Sequence, residues 1–279
     1  MNSREHIVAR WMFCFLLAWS SPTLARDCAA RYPAAETLAQ TFDMAMQVEQ
    51  TLNGLSPQAD IVLLARGGQD LSRFGLTYSH LAFALRQANG PWVVLHELNR
   101  CGSGASDLYR EGLADFVGDS VLRAGVLVAV PEPALQTKLK RWLSESASAR
   151  VLHEARYSIV AYPFSTQYQN SNQWILEVLA AAAMQQPVSG RSQVQSWLRR
   201  NGYRPSTLHI KLHERVGARF GVDNAATVDH PASERISGDY SVVTVDSVVD
   251  FMKAKHWLTQ SFEVPRNVAA TNGSKEKRK

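Results

Sequence analysis

The chain has 279 residues, 46% hydrophobic and 20% charged, which excludes a disordered polyelectrolyte and is enough to bury a full core. Its formal net charge of +5 sits at the ends: residues 1–25 hold +1 and the stretch from Val264 onward holds +4, so the body between them is neutral and offers no nucleic-acid surface. Three cysteines are too few for a cysteine-rich zinc scaffold.

In chain order, Arg4 and Arg10 precede the apolar run "WMFCFLLAW", and "SPTLA" then sets Thr23 and Ala25 at the spacing a signal peptidase reads. This predicts a secretory signal over 1–25 and a periplasmic or secreted mature protein. The run is shorter than the about 20 residues that span a bilayer, so no transmembrane segment is expected in the mature chain. Cys14 leaves with the signal. Cys28 and Cys101 remain as an even pair in an oxidising compartment and are expected to form a disulfide, two free thiols being the alternative. Residues 26–263 are expected to form one α+β domain, and 264–279 a disordered basic tail.

"AETLAQTFDMAMQVEQTLNGL" places Leu38, Phe42, Ala45, Met46, Val48 and Leu52 near helical spacing, and Asn53-Gly54 stops the helix. "ADIVLLARGG" reads as a strand, and "HLAFALRQANGPWVVLHEL" as two strands of a hairpin turning at Asn89-Gly90-Pro91. "ASDLYREGLADFVGDS" reads as a short helix, "AGVLVAVP" as a strand, and "EPALQTKLKRWLSES" as a helix with Pro133 in its first turn. "ARYSIVAYPF" and "GDYSVVTV" are further strand candidates, and "DSVVDFMKAKHWL" a closing helix capped by Asp246.

The chemistry is expected where the sheet meets "NSNQWILEVLAAAA". This segment is apolar around nearly its whole circumference, interrupted by Glu177, and so reads as a buried central helix. Asn170 with Gln173 fits a capping box, which would make Ser171 only the first helical residue. The same position sees unpaired N–H groups and the positive end of the helix dipole, which suits a nucleophile. His80 opens the first strand of the hairpin and His96 lies near the end of the second, so pairing could set both imidazoles at one end of the sheet. One would act as general base and the other, or Glu97, would fix its tautomer; two satisfied strand histidines are the alternative. In "ARGGQDLSRFG", Asp70, Ser72 and Arg73 are candidate substrate contacts at a loop rim, and Glu97 and Asn170, the latter beside the helix start, are two more. "HIKLHE" sets His209 and His213 four apart with Glu214 next, but no third ligand or HExxH pattern accompanies them, so no metal and no cofactor are expected.

The order "DIVLLARGG…YSHLAFAL…WVVLHEL" followed by "YQNSNQWILEVLAAA" resembles the circularly permuted NlpC-type, papain-like hydrolases, the branch containing lecithin retinol acyltransferase. In that branch a strand-start histidine and a polar partner on the next strand precede an Asn-Cys pair opening a buried helix; His80, His96 and Asn170-Ser171 match those places. Most of 28–255 is also similar to a bacterial exported family called domain of unknown function 2145, through "YSHLAFALR", "LHELN", "LYREGLADF" and "YPFSTQYQNSNQWILE". The resemblance implies a papain-like antiparallel sheet packed on the central helix. It also implies cleavage or transfer at an amide or ester of an envelope peptide, glycan or lipid, with Ser171 as nucleophile, His80 as base and His96 as orienter. The departure is serine in place of cysteine: a hydroxyl gains no anion character from a helix terminus and must lose its proton as it attacks. A non-catalytic envelope-binding relative using the same cleft is the competing class. The oligomeric state is left open.

Overall fold

The structure, a computed structural model, describes residues 33–56, 58–88, 90–101, 103–118, 124–144, 146–184, 186–215 and 224–266. The expected signal over 1–25, Cys28 and its pairing with Cys101, and the tail beyond 266 lie outside the described residues.

A six-stranded antiparallel sheet is the centre of the molecule, in the order β4 (Ser106–Gly112), β3 (Trp92–Asn99), β2 (His80–Arg86), β1 (Ile61–Arg66), β5 (Val126–Pro131) and β8 (Leu258–Val264). Helices cover both faces, which is why β1 is buried along its whole length and reads as a continuous apolar run rather than an alternating one. Residues such as Leu63, Leu81 and Leu95 point to one face, where α3 (Pro133–Ser144), α5 (Ser171–Ala183), α6 (Arg191–Arg200) and α8 (Val245–Ala254) supply the partner side chains. Their neighbours Val62, Leu64, Ala82 and Val94 face α1 (Ala35–Asn53) and α2 (Leu113–Gly118) on the other. A two-stranded sheet of β6 (Ser206–His209) and β7 (Asp239–Val242), with the short α7 (Ala232–Ser237) beside β7, forms a small apolar cluster at one end.

The hairpin forms as the sequence predicts, with Phe83 opposite Leu95. The expected helix at "ASDLYREGLADFVGDS" divides: Ser106–Gly112 is strand β4 and only Leu113–Gly118 is helical. Its Leu and Ala spacing imitates a helix, but β4 continues the ladder from β3, and that pairing decides its conformation. "ARYSIVAYPF" is not a strand; α4 (Ser146–Val151) precedes it, and it contributes single bridges from Arg156 and Tyr157. Within α1, Met44, Ala45, Val48 and Leu52 face the sheet, while Leu38, Phe42 and Met46 lie on the solvent side. The closing helix α8 begins at Val245 with Thr244 as its cap, in a reciprocal box with Ser247, so Asp246 lies in the first turn instead of capping it. Val264, placed in the tail by the sequence reading, is the last residue of β8.

Twelve of the thirteen residues of α5 are buried. Trp174 meets Phe83 edge to face at 5.9 Å and donates its indole N–H to the Ala149 carbonyl at 3.2 Å. Glu177, the lone charge on this helix, is matched rather than exposed. It accepts from Arg191 at 2.8 and 3.2 Å, from Gln195 at 2.8 Å and from Gln169 at 2.8 Å, while Arg191 also donates to the Thr166 and Tyr168 carbonyls. Arg191 thereby ties the loop before α5 to the first turn of α6. Removing one partner of a buried pair strands the other, at a cost of about 3–5 kcal/mol. Arg191→Ala is therefore expected to lower the unfolding free energy by about that amount, and Glu177→Gln placed in the same chain to recover a substantial part, both measured by urea denaturation.

Candidate functional site

Asn170 caps α5: its side chain accepts from the Gln173 N–H at 2.8 Å. Gln173 does not reach back to complete a box; its amide donates to the Pro163 carbonyl and to Glu177. Asn172 clamps the same end of the helix to the sheet, accepting from the Leu81 N–H at 2.9 Å and donating to the Ser79 carbonyl at 3.2 Å. These two residues flank His80, so the start of α5 is fixed beside the start of β2. Ser171 lies between the cap and the clamp. Among the described residues, the Ser171 and Asn172 backbone N–H groups have no acceptor, as the first turn of a helix dictates.

Ser171 and His80 line one cleft at this end of the sheet. Leu71, Phe74, Ile159, Leu208 and Val242 form an apolar wall; Arg66 and Arg73 also line the cleft, and among the described residues no Asp or Glu does. His96 stands behind His80, fully buried, with its Nδ1 2.7 Å from His80 Nε2 and the rings edge to face. Phe116 packs against both imidazoles and beneath the guanidinium of Arg66, which sits opposite His80 in the ladder.

Three residues that the sequence reading passes over complete this environment. Glu111 on β4 brings Oε1 to 3.1 Å from His96 Nε2, although off the line of a well-directed hydrogen bond. The Tyr157 hydroxyl lies 3.4 Å from Ser171 Oγ. Arg66 is buried and donates to the Phe116 carbonyl at 2.6 Å. Tyr157 belongs to an irregular segment and Glu111 to a strand read as helix, so neither left a local signal. Only the β3–β4 register, which puts Glu111 opposite Val94 and diagonal to His96, would have revealed the second.

The remaining expected site residues are dispersed. Arg73 stays at the cleft rim, ion-paired with Glu214. Asp70 does not line the cleft; it accepts from the Ser72 N–H at 2.9 Å, and hydrogen bonding from the Ser72 side chain, then from that N–H, holds its carboxyl below the usual range. His209 pairs with Asp239 at 2.7 Å, and no group of three or more metal-ligating side chains occurs among the described residues. No hydrogen bond joins Ser171 to His80 among the described residues; Ser171 Oγ pairs with the Tyr157 hydroxyl instead, and either can donate.

Glu97 follows His96 on β3, so strand alternation turns it to the opposite face, under α5 and away from the cleft. It is fully buried, and neither carboxyl oxygen has a hydrogen-bond partner among the described residues. Burial pushes its carboxyl up to about 8, with nearby Ser106 and Arg191 opposing only in part.

The site thus defines a mixed α+β protein with an imidazole pair and a helix-start serine at the mouth of an apolar cleft. The chain belongs to the family described as uncharacterized protein conserved in bacteria (DUF2145), whose model matches residues 55–252 and so spans β1 through most of α8, including His80, His96, Glu111, Tyr157 and Ser171. No curated protein and no solved structure matches the chain. No helix among the described residues is long and apolar enough to cross a membrane.

Because Glu97 holds its proton more tightly folded than unfolded, where a glutamate titrates near about 4.3, its contribution to stability is fully present below that value and lost as pH rises toward about 8. Denaturation midpoints at pH 5 and pH 9 should therefore fall more in the native protein than in Glu97→Gln, with the variant the more stable at pH 9 by on the order of 3–5 kcal/mol.

Proposed function

We propose that the protein is an exported serine-dependent hydrolase or acyltransferase acting on an amide or ester of an envelope component. In this reading the fold is a papain-like, circularly permuted NlpC-type arrangement in which serine replaces cysteine, the mature chain follows a cleaved signal, and Cys28 bonds Cys101. Ser171 Oγ attacks the substrate carbonyl while its proton passes to His80. The oxyanion forms beside the first-turn N–H groups of Ser171 and Asn172, at the positive end of α5. His80 then returns the proton to the leaving amine or alcohol, and water or an acceptor alcohol releases the acyl group from Ser171. His96 holds the His80 ring, and the apolar wall receives the substrate's hydrocarbon part.

The observation that carries this reading is that Ser171 and His80 open onto one cleft at the start of a buried helix, with His96 hydrogen-bonded behind. The pairing of Ser171 Oγ with the Tyr157 hydroxyl rather than with His80 favours the second reading, a binding protein that uses the cleft without covalent chemistry. Catalytic hydrogen bonds are often long before substrate arrives, so this contact alone does not choose between the two. A fluorophosphonate probe separates them. The native protein is expected to label, Ser171→Ala not at all, and His80→Ala at least about a hundredfold more slowly. Equal labelling of all three, or none of any, leaves the binding protein.

A further inference from the structure

We infer that the outer face of α1 is a docking surface for the chain's own basic C-terminal segment, residues 267–279.

That face is apolar and acidic at once. Leu38, Phe42 and Met46 recur at every fourth residue and are 44%, 58% and 52% exposed, whereas Met44, Ala45, Val48 and Leu52 hold the other side of the helix to the sheet. Three large apolar side chains in one row differ from the single, scattered exposure of an ordinary surface. The charged residues of α1 are Glu36, Asp43 and Glu49, with no Lys or Arg among them. At helical spacing Glu49 falls in line between Leu38 and Phe42, and Glu36 and Asp43 run along the Met46 side of the row. A partner that covers the row must therefore bring apolar side chains together with positive charge.

The C-terminal segment has both, and it leaves the fold at the right place. Asn53, the last residue of α1, accepts from Arg86 and from the Trp92 indole, at the end of the sheet where β2 stops and β3 starts. β1 runs antiparallel to both β2 and β5, and Val264 pairs with Val126 at the start of β5. Val264 consequently lies at the opposite end of the sheet from Asn53, toward the first half of α1, buried in the same apolar layer as Met44 and Ala45. Beyond it the sequence supplies Val268, Ala269 and Ala270, then Lys275, Lys277, Arg278 and Lys279 against the single acid Glu276. Thirteen residues follow Arg266 and reach about 43 Å when extended, while a helix of α1's length spans about 28 Å, so the segment can follow the whole row.

Tethering makes a weak contact sufficient. A short connection holds the segment at a local concentration on the order of 1 mM, so an intrinsic Kd of about 1 mM leaves roughly half of the molecules docked. Other occupants match the face less well. A second copy of α1 would set three acids against three acids, and an anionic membrane surface would repel them.

The test is carbodiimide coupling of lysine amines to carboxylates in the full chain, with products sorted into monomer and dimer and mapped by proteolysis and mass spectrometry. Coupling of Lys140 to Asp60, an ion pair at 2.9 Å with neither partner on α1, is the internal control. Monomeric products joining Lys275, Lys277 or Lys279 to Glu36, Asp43 or Glu49 are expected. Leu38→Ser combined with Phe42→Ser keeps every reacting group but removes the apolar contact. A tenfold weakening of that contact cuts the docked fraction, and with it the yield of these products relative to the control, about fivefold. Both side chains are exposed, so the variant should fold; if it does not, the coupling map of the native protein decides alone. Three results overturn the inference: no coupling of these lysines to α1 while Lys140 couples to Asp60, an unchanged yield in the double variant, or coupling found only in dimers, which would assign the face to the segment of a second copy.

Discussion

The clamp made by Asn172 is the interaction on which the site depends. Its side chain takes the Leu81 N–H and gives to the Ser79 carbonyl, satisfying the backbone at the start of β2 with the first turn of α5. A buried backbone group left without a partner costs about 1–3 kcal/mol, so this exchange fixes the distance and orientation of the two elements more firmly than apolar packing alone could. Apolar contact is tolerant of sliding; two hydrogen bonds from one short side chain are not. Ser171 and His80 are consequently neighbours of the clamp on either side of it, and the cleft opens between them.

The sheet behind the clamp works because both of its faces are dry. His96 and Glu97 are adjacent in sequence yet enter different layers, His96 toward α2 and Glu97 toward α5. On the first face the imidazole meets Phe116, Glu111 and His80. On the second the carboxyl lies near the Glu177–Arg191 pair, whose cation is already engaged by Glu177 and by loop carbonyls. Glu97 therefore escapes its desolvation mainly by keeping a proton. One strand thus carries an imidazole on one face and a titrating carboxyl on the other, separated only by the two-residue period of the pleat.

The sequence disclosed those parts of the fold whose cause is local. The hairpin is written in its apolar runs and the Asn-Gly-Pro between them, α5 in its apolar circumference, and its cap in Asn170. The reading failed where a distant partner decides. β4 was legible as a helix because "LYREGLADF" spaces its apolar residues like one, and only the ladder to β3 makes it a strand. The edge strand β8 and the short β6 carry too little apolar pattern to stand out. The same limit applies to the site: Ser171, His80 and His96 can be nominated from a helix start and a hairpin, whereas Glu111, Tyr157 and Arg66 acquire meaning only from cross-strand register and from a loop folded against α5.

The most direct trial of the account is a crystal structure of the protein after reaction with a phosphonate ester. The account predicts phosphorus bonded to Ser171 Oγ, a phosphonyl oxygen within about 3 Å of the Ser171 or Asn172 N–H, and a nitrogen of His80 facing the cleft beside the adduct. Phosphorus bonded to another residue, or an untouched Ser171 still turned to Tyr157 with His80 facing away from the cleft, would contradict it.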